Sequence, residues 1–462
     1  MTGPGAIVDG ASWAADATEA CDVLVIGSGC GGATLALALA ERGIDVIVAE
    51  RGGYYTAADF DQREANMLAK IDGGRGLDTS DDGGVAMTYG NNVGGASVHY
   101  WADSYRTPAD RLAVWADQYG VEGHDLATLT PQFERLERDL NVHPAPDEYA
   151  NRINVLVRDA AQRLGWKVDR VPQARKGCVS SGYCAQGCAY DAKQSQLVTH
   201  LPRAVALGAR VFADLDLTRL YWNGPRVTSA VGLVLDRATG RPRGPTVRIE
   251  PKAVAVAAGG YGTPRLLLRQ GLKDRLPALG EHLFVNPCPM VHGRFDEDIV
   301  QWRNIPAAWA VEEFRLARDE GGAYREGGYL LMPNQLQPAT LAAVLSGIGP
   351  SHRRWMKAMP KVGGTIAWID DRELGRMTLE SAGRTRLHVI LHGGNGDRIR
   401  DAFRKQAAVL LEAGAREVLL GDVAETTLTR RDQLDAAIAG LSIQPSRNVL
   451  AAPHPGGGAR MG

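Results

Sequence analysis

Residues 22–32 read Asp22-Val-Leu-Val-Ile26-Gly27-Ser28-Gly29-Cys30-Gly31-Gly32, and this stretch decides the fold class. Asp22 to Ile26 is a short β-branched run of the kind that forms a buried parallel strand. Beyond the glycines, Ala33 to Arg42 are good helix formers, with Gly43 placed to close the helix. Val46-Ile-Val-Ala49 then reads as a second buried strand, ended by Glu50. Strand, glycine turn, helix and strand in this order predict a β-α-β unit with a right-handed crossover. Gly27, Gly29 and Gly32 fit G-x-G-x-x-G. The first glycine permits a tight turn, the second lets backbone approach a pyrophosphate, and the third lets helix and strand pack closely. The helix N-terminus adds partial positive charge for the phosphates. Glu50, 23 residues after Gly27, stands where an acid accepts hydrogen bonds from a ribose. The expectation is an α/β protein whose Rossmann-like domain holds a dinucleotide.

Bulk properties narrow the class further. A chain of 462 residues carries material for two to three domains. Its 52 Lys+Arg and 53 Asp+Glu nearly cancel, which argues against nucleic acid or an anionic membrane surface as a charge-driven partner. Apolar runs such as Leu35 to Ala40 and Ala253 to Ala258 are too short to span a bilayer. Met1 to Ala20 lacks the basic and apolar regions of a secretory signal. Six cysteines without a leader fit reduced thiols, so the expected location is cytoplasmic.

Elsewhere the pattern is mixed. Thr130-Pro131 is read as a helix start with proline at the first position, and Asn151 as the cap of a helix running to Gly165. Arg210–Phe212, Ala230–Leu235 and Thr246–Ile249 read as short strands, with a hairpin loop over Arg237–Gly244 and a further strand at Ala253–Ala257. After Cys288, strands at Gly328–Met332, Gly364–Ile369 and Arg386–Leu391 precede a helix from Arg398 to Ala413, ended by Gly414. This predicts a second, inserted α+β domain with an antiparallel sheet facing the substrate.

Three further segments carry a family resemblance. Val93-Gly94-Gly95-Ala96-Ser97-Val98-His99 resembles the second flavin-contacting loop of the glucose-methanol-choline (GMC) oxidoreductases. Gly259-Gly260-Tyr261-Gly262-Thr263-Pro264 resembles their internal Gly-x-x-(Ser/Thr)-Pro signature. Pro453-His454-Pro455-Gly456 through Arg460-Met461-Gly462 resembles their C-terminal His-Pro segment. The motifs follow the family's order from Asp22 to Gly462, essentially the whole chain.

The resemblance implies FAD as cofactor, an alcohol donor such as a sugar, sterol or long-chain alcohol, and a carbonyl product. It places cofactor contacts at Gly27, Gly29, Gly32, Glu50, Gly94, Gly95, Ser97, His99, Gly259, Thr263 and Pro264. Hydride passes to flavin N5 while a base takes the hydroxyl proton, and the family's base corresponds to His454. An imidazole with an ordinary pKa of ~6.5 is neutral enough to do so. The implied division is an FAD domain from 19–105, 175–287 and 443–462, and a substrate domain from 106–174 and 288–442. In some relatives a histidine of the second loop is bonded covalently to the flavin. A link through His99 is therefore an alternative, not the favoured one.

Cys178, Cys184 and Cys188 crowd into eleven residues. Three thiolates could hold an iron–sulfur cluster, as the resemblance to membrane-coupled sugar dehydrogenases suggests, but a structural thiol cluster without metal is preferred. His388 and His392 fall on a strand and its turn, so their spacing is no metal-binding face. Asn286-Pro287 stands where many relatives have His-Pro and is read as structural variation.

Family members continue several dozen residues past the motif that closes at Gly462, supplying a strand against FAD and a second His or Asn opposite the base. The expectation is a split or cleaved enzyme completed by a second polypeptide, with artificial truncation at this point as an alternative. Two rivals are a catalytically inactive flavoprotein-like subunit of an assembly and an NAD-dependent reductase. The latter leaves the Gly94, Gly259 and His454 segments without a task.

Overall fold

A computed structural model describes residues 2–76, 78–318, 324–325, 327–380 and 383–461. Gly462, the last residue of the C-terminal motif, lies outside the described residues. Two sheets organise the chain. The first is built from β1 (Ile7–Val8), β2 (Ala17–Ile26), β3 (Val46–Ala49), β4 (Arg210–Phe212), β5 (Leu215–Asn223), β6 (Arg226–Leu235) and β7 (Pro242–Val256). Its order is β1-β4-β3-β2-β7-β6-β5. The first four pairings are parallel and the last two antiparallel. Helix α1 (Cys30–Ala40) crosses from β2 to β3. Its Ala33, Ala36, Leu37 and Ala40 are buried against Val25, Val46 and Val48, small residues that bring helix and sheet together.

The β-α-β unit stands as read, with β2 extended back to Ala17. Two other expectations need correction. Thr246–Ile249 and Ala253–Ala257 are not separate strands but parts of the single fifteen-residue β7. Pro251 lies inside it. Yet β6 pairs with β7 only as far as Ile249, so the proline's missing N–H costs no bond to that neighbour, while β2 runs alongside to Val256. Likewise Thr130-Pro131 does not start a helix. The helix covers Leu126–Asp139, because the Asp125 carboxylate accepts from Thr128 N at 2.9 Å and caps it a turn earlier. Asn151 caps Arg152–Arg163 as expected.

The second sheet has the path 427–428, 417–419, 288–294, 362–369, 329–333, 309–311 and 168–170, antiparallel throughout. Leu450–Ala452 pairs with Cys288–Pro289 and, in parallel, with Ala86–Met87. Helix Gly394–Glu412 covers this sheet with Ile399, Ala402, Phe403 and Leu410, all fully buried. The strand expected at Arg386–Leu391 is shorter, Thr385–His388. Mixed parallel and antiparallel sheets match the expected α/β class. No helix among the described residues is long and apolar enough to cross a membrane.

Candidate active site

The glycine turn after β2 is shaped by contacts no side chain would survive. Gly27 has φ +101°, and a Cβ there would lie 2.5 Å from Ala257 O at the end of the neighbouring strand. A Cβ on Gly32 would lie 1.9 Å from Gly27 O, so this residue sets how closely α1 approaches the sheet. Gly29 caps α1 without any side-chain hydrogen bond, and at Gly31 no atom beyond its chain neighbours and its own helix backbone lies within 4 Å of where a Cβ would stand. The first turn of α1 thus presents bare, uncapped N–H groups to an open cavity, a cradle suited to a pyrophosphate.

Glu50 ties this cradle together. Its Oε2 accepts from Ser28 N at 2.9 Å and from Ser28 Oγ at 2.7 Å, and its Oε1 accepts from Gly52 N at 2.9 Å. Ser28 Oγ in turn accepts from Gly94 N at 3.0 Å. One carboxylate therefore holds the first glycine loop, the end of β3 and the second loop in register. Burial pushes the Glu50 carboxyl up, against the hydrogen bonds from Gly52 and Ser28 that favour its charged form.

The second loop turns through Gly94 (φ +97°) and Gly95 (φ +55°) into a short 3-10 turn, Gly95–Val98. A Cβ on Gly95 would lie 2.7 Å from Gly29 Cα, so the two glycine loops touch. Ser97 works inside the loop, donating to Gly94 O at 2.6 Å and accepting from Gln196 N at 2.9 Å. His99 turns away from the cavity: Nδ1 meets Ala185 O, and Nε2 lies 3.5 Å from the Asp72 carboxylate. Burial pushes the Asp72 carboxyl up, but hydrogen bonds from His99, Gly76 and Tyr89 outweigh it and hold it below the ordinary range.

Helix α2 (Gly259–Arg269) begins at the end of β7. Tyr261 stacks on Tyr89 with ring centroids 4.6 Å apart and forms part of the cavity wall. His454 follows strand Leu450–Ala452 on the opposite side. Its Nδ1 lies 2.9 Å from Asn286 Oδ1, and Trp368 meets the ring edge-on at 5.0 Å. The ring is exposed to the open cavity, while protein packed around it lowers its pKa, to about 4, by burial. His454 is therefore neutral at physiological pH.

Gly27, Gly29, Glu50, Gly95, Gly259 and His454 line one cavity. Gly32, Gly94, Ser97, His99, Thr263 and Pro264 do not line it and stand behind its wall. Ser28, Tyr89, Tyr261 and Asn286 join the site through Glu50, the cavity wall and His454, and nothing in the sequence singles them out. Ser28 is an unspecified position of its motif, and Asn286 looked like variation.

The cysteine-rich turn lies behind the second loop. Arg175 Nη1 is 3.3 Å from Cys184 Sγ and 4.0 Å from Cys178 Sγ. The Lys193 ammonium, with its pKa lowered to about 8 by burial, donates to Val98 O and Tyr100 O. Among the described residues, no three His, Cys, Asp or Glu side chains are grouped to hold a metal ion.

The family model described as GMC oxidoreductase matches residues 21–288, from β2 to the first residue of strand 288–294. The chain belongs to the GMC oxidoreductase family. An uncharacterised GMC-type oxidoreductase of Mycobacterium tuberculosis is 32% identical over 444 residues, covering 96% of this chain and 67% of that protein. A long-chain-alcohol oxidase of Arabidopsis thaliana is 30% identical over 86% of this chain and 53% of its own length. The chain thus spans between about half and two thirds of these GMC relatives. Among solved structures, pyridoxine 4-oxidase from Mesorbium loti superposes with a TM-score of 0.69 at 17% identity, over 96% of this chain and 89% of that one. That likeness bears on the fold.

Proposed function

We propose that this GMC oxidoreductase holds FAD in the cavity between the two glycine loops and oxidises an alcohol to a carbonyl, with His454 as the proton acceptor. The observation that carries the reading is spatial. The bare first turn of α1 and the imidazole of His454 line the same cavity, though 424 positions separate Cys30 from His454 in the sequence. The name of the plant long-chain-alcohol oxidase supports an alcohol as the substrate class.

In this reading the N–H groups of the Cys30 turn bind the pyrophosphate, and Glu50 holds the loop that presents them. Bound FAD supplies the hydride-accepting chemistry. His454 lies within the cavity with Nδ1 occupied by Asn286 and no hydrogen-bond partner at Nε2 among the described residues, so a substrate hydroxyl donates there. The hydroxyl proton moves to Nε2, and the cavity walls orient the carbinol carbon. His99 plays no covalent part, because both its ring nitrogens face protein partners. The reading keeps a discontinuous cofactor domain with an inserted substrate domain.

The test is direct. The purified protein should carry FAD absorbance near the flavin maximum, and this should bleach anaerobically with a member of an alcohol panel. A protein that retains FAD but bleaches with no alcohol would favour the inactive-subunit alternative.

A further inference from the structure

We propose that Asn286 is a positioning residue that fixes His454 in one tautomer, with the proton on Nδ1 and the lone pair on Nε2. This rests on the reading of His454 as proton acceptor and adds what makes the histidine competent for that role.

The orientation of the Asn286 amide decides the tautomer. Asn286 presents one end to the backbone carbonyl of Ile369 and the other to His454. A carbonyl oxygen only accepts, so the end facing Ile369 is the NH₂ group. The end facing His454 Nδ1, 2.9 Å away, is therefore the oxygen. An amide oxygen likewise only accepts, so its contact with Nδ1 is a hydrogen bond only when Nδ1 carries hydrogen. In the neutral ring this leaves Nε2 unprotonated, which is the form a base requires. When Nε2 takes a proton, the Nδ1–H to Asn286 bond becomes charge-assisted and stronger, so the same contact favours the product of the step.

The amide is itself held in place. Asp371 Oδ2 accepts from Asn286 N at 2.6 Å, and Asp371 Oδ1 lies 3.4 Å from Val285 N. Asn286 adopts φ +56°, the left-handed region that Asn and Gly tolerate better than other residues. Trp368 closes on the imidazole from another direction, at 5.0 Å and an interplanar angle of 70°. The ring is thus clamped at Nδ1 and on one edge, and turning it to exchange its nitrogens would break the Asn286 bond.

Two variants separate the acceptor from the backbone. Asn286→Gly removes the oxygen and still suits φ +56°, whereas Asn286→Asp keeps an oxygen acceptor in that conformation. The readout is the His454 tautomer in the FAD-loaded full chain, from long-range ¹H–¹⁵N correlations of ¹⁵N-histidine-labelled protein, with His454→Gln assigning the signal. Anaerobic flavin reduction is measured alongside. The expected result is Nδ1–H in the wild type and in Asn286→Asp. Asn286→Gly should show loss of that tautomer and a fall in reduction rate of about tenfold to a hundredfold, part of the ~10²–10⁴ a positioned base contributes. A wild-type His454 protonated at Nε2, or an Asn286→Gly protein that keeps both tautomer and rate, would overturn the proposal. If instead His454→Gln reduces flavin at the wild-type rate, the proton-acceptor reading fails. The tautomer spectrum still decides the role of Asn286.

Discussion

Gly260 and Pro455 meet backbone to backbone: a Cβ built on Gly260 would stand 1.7 Å from the Pro455 carbonyl oxygen and 2.5 Å from its carbon. The first turn of α2 is therefore the seat on which the segment carrying His454 rests. A methyl group there cannot be absorbed by a side-chain rotation, because the atoms it meets are main chain. Gly260→Ala should displace residues 453–456 and lower the rate of alcohol-driven flavin reduction by at least about tenfold, since misplacing a reacting group by 1 Å can cost ~10². Bound FAD should be retained, because the phosphate cradle lies on α1. Loss of FAD together with activity would show that this contact serves the cofactor instead.

Glu50 offers a test of the loop network. Glu50→Gln keeps one acceptor but places an NH₂ group against either Ser28 or Gly52, losing a charged hydrogen bond. FAD affinity, measured by recovery of flavin fluorescence on dilution, should weaken about tenfold, equivalent to ~1.4 kcal/mol. An unchanged dissociation constant would mean that the Glu50–Ser28–Gly94 chain does not hold the cradle.

His99 has both ring nitrogens facing protein partners, Ala185 O and Asp72. Acid precipitation of the purified flavoprotein should therefore give a colourless pellet and a yellow supernatant. A yellow pellet that becomes colourless in His99→Ala would contradict this placement.

Asp371 supplies a pH-dependent prediction. Burial pushes its carboxyl from the ordinary 3.8 up to about 7, against the hydrogen bonds from Asn286 and Val285 that favour the charged form. The folded state therefore holds a proton that the unfolded state has released. Its contribution is fully present below pH ~4 and is lost as pH rises through about 7. Asp371→Asn cannot lose it. Relative to wild type, this variant should gain about 2 kcal/mol of stability at pH 8, after discounting for solvent screening, and only about a quarter of that at pH 4.5. Denaturant midpoints of both proteins at the two pH values check the sign. A variant advantage that shrinks at high pH would refute it.

The parts of the fold legible in the sequence were those whose cause is local. Alternating chemistry at Asp22–Glu50 dictates strand, turn and helix within one crossover, and the bare glycines of that turn mark a phosphate site without knowledge of distant residues. His454 could be placed only through its resemblance to a family motif, because its partner Asn286 lies 168 positions away. Asn286 escaped notice for the same reason: its role arises from the Ile369 carbonyl and the Asp371 carboxylate, which the second sheet brings to it. Thr263 and Pro264 read as cofactor contacts but do not line the cavity, although Gly262 and Arg265 on either side of them do, and Pro264 instead packs against Gly458. The extent of β7 depended on which neighbour runs beside Pro251, and that is a property of the sheet.

The central claim is that His454 takes the substrate proton in a cavity that also holds FAD. Anaerobic stopped-flow reduction of the bound flavin by a bleaching alcohol, comparing wild type with His454→Gln, tests it most directly. The account predicts equal FAD content and a reduction rate in His454→Gln lower by ~10²–10⁴, the contribution of a positioned general base. Equal rates in the two proteins would contradict it.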